Sequence, residues 1–267
     1  MKLGISTYAL AWSIGVPGYE APQNPVNTID LIEIAHKLNI SLLQIADNIP
    51  LHIMSDEELE KIRNIAVKAG VELELGTRGT EPDHLLKYLH VASIFESKFL
   101  RTIIINPDME VVTSELHTIL PEFEACGVTI GVENHGLHTT RQLAGLFNSI
   151  KSPYLGCCLD TVNSFEIMEG TEQVVNNLLP YTVNLHIKDF DVQRVKHKMG
   201  FEILGKPAGE GRLGIPNLMG LLKEQGKDIN LVIELWPPFT NNVEETINLE
   251  NDWLKRSINN LKAMGLK

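Results

Sequence analysis

Strand-like and helix-like segments alternate along the whole chain, and this alternation constrains the fold more than any other feature. Eight short runs rich in Val, Ile and Leu have the length of strands, and longer stretches with helical apolar spacing separate them. The runs are residues 3–6, 42–46, 71–75, 100–106, 128–133, 155–160, 183–188 and 230–235. Over 267 residues these units average roughly 33 residues each, which is typical of a (β/α)8 barrel.

Local signals agree with this division into elements. Ser55 with Glu58, and Thr139 with Gln142, have the spacing of helix-capping boxes just before two of the helical stretches. The alternative for an alternating α/β chain is a doubly wound open sheet. We favour the barrel because eight units are present and no glycine-rich phosphate turn follows the first strand. One barrel domain over residues 1–267 is therefore expected.

Composition excludes several classes of function. The net charge of −11 and the pI near 5.3 give no positive surface for nucleic acid or an anionic membrane. No apolar run reaches the ~18 residues that a membrane span needs. The first residues lack the apolar centre of a signal peptide, and the three cysteines have neither CxxC spacing nor the density of a disulfide framework. A cytoplasmic protein is expected.

Acidic or imidazole side chains lie at the ends of the last four strand runs. They are Glu133, Asp160, His186 and Glu234. A carboxylate at the end of an apolar run is costly to bury unless a partner neutralises it. In a barrel the carboxyl ends of neighbouring strands point at a common volume, so these groups predict one divalent metal site on the C-terminal face. Mn²⁺, Co²⁺, Mg²⁺ and Zn²⁺ all remain compatible with three carboxylates and one imidazole.

The order Glu, Asp, His, Glu on strands five to eight resembles the xylose isomerase-like superfamily of TIM barrels. That group includes 3-epimerases of ketoses, inosose dehydratase-like proteins, hydroxypyruvate isomerases and endonuclease IV. The likeness spans the C-terminal half of the chain, and the unit count extends it to the whole. The segments that carry it are residues 131–136, 159–163, 186–189, 209–216 and 232–236.

The resemblance implies an isomerase or epimerase of an open-chain keto-sugar that acts through an enediolate. Glu133 and Glu234 would exchange the proton, and the ion would act as a Lewis acid. A lyase on the same site, either a dehydratase or a decarboxylase of a 3-oxo sugar acid, is the alternative. DNA repair is disfavoured, because strands three and four end without the histidines of a three-metal site. A sugar-binding barrel without catalysis is disfavoured because all four ligand positions are intact.

Two further residues are expected at the reaction centre. Lys188 lies two residues beyond His186 and should turn to the same side of the strand, where it could act in catalysis; a solvated lysine at the rim is the other interpretation. Asn163 stands where many family members carry a histidine. Asn can donate to a substrate hydroxyl but does not titrate near neutral pH, so the departure weakens a close match to the ketose 3-epimerases.

Other candidates for substrate binding lie in loops at the same face. For each of them a non-functional role is the alternative. The charged loop residues could be solvated, the histidine could be structural, and the aromatic residues could pack in the core. The candidates are Tyr8, Trp12, His135, Arg194, Glu210, Arg212 and Trp236. The arginines and Glu210 belong to residues 189–214, a long charged and glycine-rich stretch that we interpret as an active-site loop. The expected partner is a small carbohydrate, and a homo-oligomer is compatible with the sequence.

Overall fold

The computed structural model describes residues 1–266 of the chain. Within these residues a closed barrel forms from eight parallel strands, which pair in the order β1-β10-β7-β6-β5-β4-β3-β2. The barrel strands are β1 (Leu3–Ser6), β2 (Leu42–Ile45), β3 (Glu72–Arg78), β4 (Phe99–Ile103), β5 (Thr129–Glu133), β6 (Leu155–Asp160), β7 (Thr182–Ile187) and β10 (Asn230–Ile233). The predicted barrel is therefore confirmed, with strand bounds that differ from the sequence runs by a few residues at most.

Helices surround the barrel and pack on its outward-facing side chains. They are α1 (Ala11–Ile14), α2 (Thr28–Lys37), α3 (Asp56–Ala69), α4 (Pro82–Phe95), α5 (Met109–Cys126), α6 (Thr140–Ile150), α7 (Thr171–Leu178), α8 (Ile215–Glu224) and α9 (Val243–Ala263). Outward strand residues such as Leu75 and Leu185 join helix residues such as Leu116 and Leu254 in one buried cluster. This apolar layer holds the strands in register, so that the residues at their carboxyl ends have fixed positions.

The predicted capping boxes are present at both helices. Ser55 accepts from the backbone N–H of Glu58 at the start of α3, and Thr139 accepts from that of Gln142 at the start of α6. At the other end of α3, Gly70 adopts the left-handed conformation at φ 69°, where a residue with a side chain would be strained. The caps and Gly70 fix the ends of these helices, and Gly70 thereby fixes where the strand that follows α3 begins.

Glycines on two neighbouring strands flank Arg101 inside the barrel. In the strand register, Arg101 of β4 lies between Gly76 of β3 and Gly131 of β5. A Cβ atom at Gly131 would lie 2.5 Å from the ring of Phe99, and one at Gly76 would lie 2.8 Å from the Cα of Ala46. Side chains at these two positions would therefore clash with the barrel. Because both are glycine, Arg101 has no side chain directly beside it on either neighbouring strand.

The stretch 189–214 is not simply a loop, which corrects the expectation from sequence. It contains an antiparallel hairpin of β8 (Asp189–Arg194) and β9 (Phe201–Lys206), followed by a tight turn. Asp189 closes that turn, because its carboxylate accepts from the backbone N–H groups of Gly209, Gly211 and Leu213. The hairpin was missed because it is a half-exposed ribbon whose charged residues conceal the alternation of a strand.

Among the described residues, no helix combines the length and the apolar character that crossing a lipid bilayer would require.

Candidate metal centre

Four side chains meet at the carboxyl ends of neighbouring barrel strands. Glu133 and Asp160 are the last residues of β5 and β6, His186 is the penultimate residue of β7, and Glu234 directly follows β10. One ligand atom from each lies within 4.8 Å of the others. Each residue is at most 2% exposed, so this cluster of three carboxylates and one imidazole lies out of contact with bulk water.

Three of the facing atoms of this cluster make no hydrogen bond. Among residues 1–266, Asp160 Oδ2, His186 Nδ1 and Glu234 Oε1 are buried and make no hydrogen bond. His186 Nδ1 lies 3.5 Å from Glu133 Oε2 and 3.3 Å from Glu234 Oε1. Buried polar atoms without partners are rare because each costs about 1–3 kcal/mol, and a divalent cation would satisfy all of them together. These residues could therefore hold such an ion.

A chain of side-chain hydrogen bonds fixes the orientation of His186. Its Nε2 lies 2.8 Å from Gln44 Oε1, and Gln44 in turn donates to Glu74 Oε2 at 3.1 Å. Glu74 also accepts from the amides of Asn184 and Asn230 at 3.0 and 2.8 Å. With Nε2 acting as donor to Gln44, Nδ1 carries the lone pair towards the cluster, which is the tautomer that a metal ligand needs.

Replacing Gln44 by leucine is expected to weaken Mn²⁺ binding by about 10–100-fold, because His186 loses the acceptor that fixes its tautomer. Competitive titration against a chromogenic chelator measures the affinity. Gln225→Leu is the matched control, since Gln225 is an exposed residue at the end of α8. Equal Mn²⁺ affinities for the two variants would remove Gln44 from the metal centre.

Asp160 is held so that one oxygen is left for the cluster. Its Oδ1 accepts from the backbone N–H groups of Val162 and Asn163 at 2.8 and 2.7 Å. The amide of Asn134 bonds to both the N–H and the C=O of Asp160 at 2.8 and 2.9 Å. Burial raises the pKa of the Asp160 carboxyl, and the nearby ammonium of Lys188 opposes that rise. A cation beside Asp160 therefore favours its ionised form.

Lys188 supplies a positive charge at the edge of the cluster. Its Nζ lies 2.9 Å from Glu234 Oε2 and 3.0 Å from Asn163 Oδ1, and approaches Asp160 Oδ2 at 3.1 Å without hydrogen-bonding geometry. Burial opposes the charge on Lys188, but the carboxylates of Asp160, Glu234 and Glu133 outweigh it and raise the pKa of the ammonium. The lysine is therefore a protonated donor within reach of anything bound at the cluster.

Arg101 is a buried cation that the sequence analysis did not identify. Its Nε donates to Glu133 Oε2, and its Nη1 donates to Asp47 Oδ1 at 2.7 Å and to the carbonyl of Thr77 at 3.3 Å. Burial disfavours the guanidinium, yet Glu133, Glu234 and Asp47 reverse that effect and raise the pKa of Arg101. The side chain thus connects Glu133 to the polar groups at the ends of β1, β2 and β3.

A cavity of about 290 Å³ adjoins the cluster on the side of Lys188. Trp236 forms one wall, and its Nε1 donates to the carbonyl of Asp189 at 3.3 Å. Asn163, whose amide donates to Glu133 Oε1 at 2.5 Å, contributes a polar edge. Phe165 and Ile203 complete an apolar side, and Ile203 comes from the β8–β9 hairpin. The cavity has the size of a small sugar derivative, and its polar lining residues are Asn163, Glu166 and Lys188.

The loop after β1 places its two predicted aromatic residues differently. The hydroxyl of Tyr8 lies 3.2 Å from Asp47 Oδ2, and burial raises the pKa of Tyr8 to about 12. Trp12 is buried, packs on Phe239 at a ring distance of 5.6 Å and donates from Nε1 to the carbonyl of Pro237 at 3.3 Å. Tyr8 therefore joins the polar network of Arg101, whereas Trp12 packs in the neighbouring loop.

A buried glutamate on α9 fixes this loop. Glu250 is 0% exposed, and its carboxylate accepts from the backbone N–H groups of Trp12 and Ser13 at 2.8 and 3.0 Å and from the Ser13 hydroxyl at 2.7 Å. Burial raises the pKa of Glu250 to about 7 from 4.5, although these donors oppose the rise. A carboxyl with a raised folded-state pKa stabilises the fold below its unfolded pKa and loses that contribution as pH rises.

Between pH 4.5 and 7 the wild-type protein is expected to lose about 3 kcal/mol of stability through Glu250 alone, because the unfolded chain ionises first. The Glu250→Gln variant lacks this titration. Urea unfolding of both proteins at pH 4.5 and pH 7.5 measures it. We expect the stability difference, wild type minus variant, to fall by about that amount between the two pH values. A constant difference would contradict the assignment.

Several predicted substrate residues are engaged elsewhere. Arg194 lies over the ring of Phe201 at 4.6 Å, and Arg212 donates to Asp191 Oδ1 at 2.5 Å, so both are tied to the β8–β9 hairpin. Glu210 accepts from Arg256 at 2.9 Å and thereby binds the turn to α9. His135 is exposed on the turn after β5. The structure thus brings together the four cluster residues with Lys188, Asn163 and Trp236, while the two arginines and Glu210 contact other groups and His135 is exposed.

The residues that sequence reasoning missed are the polar ones in the first half of the barrel. Arg101 is a charge inside the apolar run 100–106, and Glu74 is a carboxylate inside 71–75. A charged residue inside an apolar run is a signal of the same kind as the polar residues at the ends of runs that singled out the cluster. In both cases burying a charge requires a partner. Gln44 and Asp47 carry no such signal, since their partners lie on strands far away in the sequence.

Known proteins resemble this chain along most of its length. The sequence model of the family described as xylose isomerase-like TIM barrel matches residues 87–257. A 3-oxo-isoapionate decarboxylase of Pectobacterium atrosepticum (strain SCRI 1043) is 35% identical over 267 residues, which covers 98% of this chain and 95% of the relative.

Solved structures share the fold at low sequence identity. The D-psicose 3-epimerase of Clostridium cellulolyticum H10, solved with D-tagatose, superimposes with a TM-score of 0.73 at 16% identity and covers 98% of this chain and 97% of its own. A xylose isomerase-like TIM barrel protein of Mycobacterium smegmatis, solved in complex with magnesium, gives a TM-score of 0.68 at 10% identity and covers 97% of each chain. The closed barrel, the family match and the near full-length relative agree, and the chain belongs to the xylose isomerase-like TIM barrel family.

Proposed function

We propose that the protein is a divalent-metal-dependent lyase that removes the carboxylate of a 3-oxo sugar acid as carbon dioxide. The observation that carries the reaction type is the 35% identity with the 3-oxo-isoapionate decarboxylase over nearly the full length of both chains. The mutually facing atoms of Asp160, His186 and Glu234, which are buried and make no hydrogen bond, support the metal requirement. This reading replaces isomerisation, the first choice from sequence, with the lyase alternative.

The chemistry requires an electron acceptor and a proton donor. When the bond between C2 and the carboxylate breaks, its electron pair moves to the C3 carbonyl oxygen, carbon dioxide leaves, and an enediolate remains. A bound divalent ion supplies Lewis-acid polarisation of that carbonyl. Lys188, which contacts Asp160 and Glu234 at about 3 Å, is positioned to donate a proton that returns the enediolate to a ketone. The products are carbon dioxide and a neutral keto-sugar.

The hydrogen bonds of the two glutamates favour this reaction over proton abstraction. Glu133 accepts hydrogen bonds from Arg101 at Oε2 and from Asn163 at Oε1, and Glu234 Oε2 forms an ion pair with the ammonium of Lys188 at 2.9 Å. Glu234 Oε1, which faces His186, is buried and makes no hydrogen bond within residues 1–266. An epimerase needs a free carboxylate to remove a proton from carbon. Decarboxylation needs no such base, because the leaving group itself supplies the electron pair.

Epimerisation of a keto-sugar is the second candidate. It is favoured by the positions of Glu133 and Glu234, which lie on either side of Asp160 and His186 in the strand order. The D-psicose 3-epimerase has the same fold, at 16% identity. In this alternative one glutamate would remove a proton beside the carbonyl and the other would return it. Lys188 would then polarise the oxygen that becomes anionic.

An incubation in D2O distinguishes the two reactions. Purified protein, stripped of metal and reloaded with Mn²⁺, is mixed with ¹³C-carboxyl-labelled 3-oxo sugar acids and, separately, with ketoses. Our proposal predicts ¹³C-bicarbonate together with one deuterium on the carbon that carried the carboxylate. It predicts no reaction after the metal is removed by a chelator. Deuterium exchange or epimerisation of the ketoses, without bicarbonate from any acid, would transfer the function to the epimerase.

A further inference from the structure

A polar network lies at the ends of β1–β4, beside the cluster of three carboxylates and His186. Asp47, which follows β2, accepts from Arg101 Nη1 at 2.7 Å, from Arg78 Nε at 2.8 Å and from the hydroxyl of Tyr8 at 3.2 Å. Arg101 also donates to Glu133, so the network is continuous with the cluster. Two guanidinium groups therefore converge on one carboxylate beside the proposed reaction centre.

Both arginines carry N–H donors that make no hydrogen bond within the described residues. These donors are Nη2 of Arg101 and both terminal nitrogens of Arg78. Arg101 Nη2 is not fully enclosed by protein, so it borders space that solvent or a ligand can reach. The side chain of Arg78 is 52% exposed. The network thus has a fixed, buried cation and a second cation open to the barrel mouth.

The charge balance at the mouth completes the case. Arg78, Arg101 and Lys188 face four carboxylates, those of Asp47, Glu133, Asp160 and Glu234. A divalent ion at the cluster would turn this balance from one net negative charge to one net positive charge. A net positive charge on these groups favours an anionic ligand, and planar guanidinium groups suit a carboxylate because they bind both of its oxygens.

We propose that Arg78 and Arg101 form the subsite that holds the carboxylate of the substrate. The inference rests on the proposed function for the class of substrate and adds the residues that recognise it. It assigns to the first half of the barrel the role that sequence reasoning gave to Arg194 and Arg212, both of which the structure ties to the hairpin.

The reaction predicts how this subsite appears in kinetics. During decarboxylation the negative charge leaves the carboxylate for the ketone oxygen. An anchor on the carboxylate is therefore strongest before the reaction begins, and its loss affects KM more than kcat. Arg78 is the residue to change, because it contacts none of the four cluster residues in the hydrogen bonds and ion pairs of the described chain.

The test uses a matched pair of stable probes, 3,4-dihydroxybutanoate and its neutral carboxamide, titrated calorimetrically into Mn²⁺-loaded and metal-free protein. We expect the wild type to prefer the anion, and Arg78→Gln to weaken anion binding about tenfold while leaving the amide unchanged. With a 3-oxo acid that is turned over, KM should rise by a similar factor. Arg63→Gln is the control, since Arg63 forms an ion pair with Glu96 far from the mouth.

Equal binding of the two probes by the wild type, or an anion affinity that Arg78→Gln leaves unchanged, would overturn the subsite even if carbon dioxide is released. Conversely, an anion preference that depends on Arg78, in a protein that decarboxylates none of the acids, would uphold the subsite and reject the proposed reaction. The two failures are therefore distinguishable.

Discussion

Replacing Asp160 by Asn is expected to abolish tight Mn²⁺ binding and to lower kcat/KM for the proposed decarboxylation by about a thousandfold or more. The change is nearly isosteric, and Oδ1 can still accept from the backbone of Val162 and Asn163. The amide nitrogen that replaces Oδ2 has no lone pair for a cation. Loss of Lewis-acid stabilisation worth several kcal/mol corresponds to such a factor.

Two measurements check this result, metal content after dialysis and the rate of ¹³C-bicarbonate release. Asp252→Asn is the matched control, because Asp252 lies on the outer helix α9, where it bonds to Arg256. The control should keep both the metal and the activity. An Asp160→Asn protein that retains one equivalent of Mn²⁺ would show that the ion binds elsewhere.

Replacing Arg101 by Met is expected to destabilise the metal-free protein by about 3–5 kcal/mol, because it leaves the buried carboxylate of Glu133 without its guanidinium partner. Glu133 is 2% exposed and depends on the Nε of Arg101, while Asp47 loses its bond to Nη1. A nearby Mn²⁺ ion would compensate Glu133. The loss of stability should therefore be partly recovered when the metal is added.

Urea unfolding with and without MnCl2 measures both parts of this expectation. Arg101→Lys keeps a charge near Glu133 and should fall between the wild type and Arg101→Met. The surface control Arg63→Met, which breaks an exposed ion pair with Glu96, should cost no more than about 1 kcal/mol. An Arg101→Met protein as stable as the wild type would mean that Glu133 does not need the guanidinium.

The barrel was predictable because its signals are local. Each strand run and each helix is specified by residues adjacent in sequence, and caps such as Ser55 with Glu58 mark the boundaries. The cluster was also predictable, since Glu133, Asp160 and His186 lie at or next to the ends of apolar strands, where a buried charge needs a partner. Barrel closure then brings consecutive strand ends together without further information.

The surrounding network was not predictable, because it depends on strand register across the barrel. Gln44 and His186 lie 142 positions apart in sequence, and Asn184 reaches Glu74 over 110 positions. Arg101 is different, because its charge in mid-strand was visible and its importance follows from the cost of burial. The loop arginines attracted attention through exposure and composition, yet exposed charges are most often paired with their neighbours, as Arg212 is with Asp191.

The most direct test of the metal centre is anomalous diffraction from crystals soaked in MnCl2 and measured on both sides of the manganese edge. We predict one strong peak bounded by Asp160 Oδ2, His186 Nδ1, Glu234 Oε1 and a carboxylate oxygen of Glu133. If crystals in which these side chains are ordered show no peak, with the ammonium of Lys188 as the one cation among the carboxylates, the metal-dependent account is contradicted.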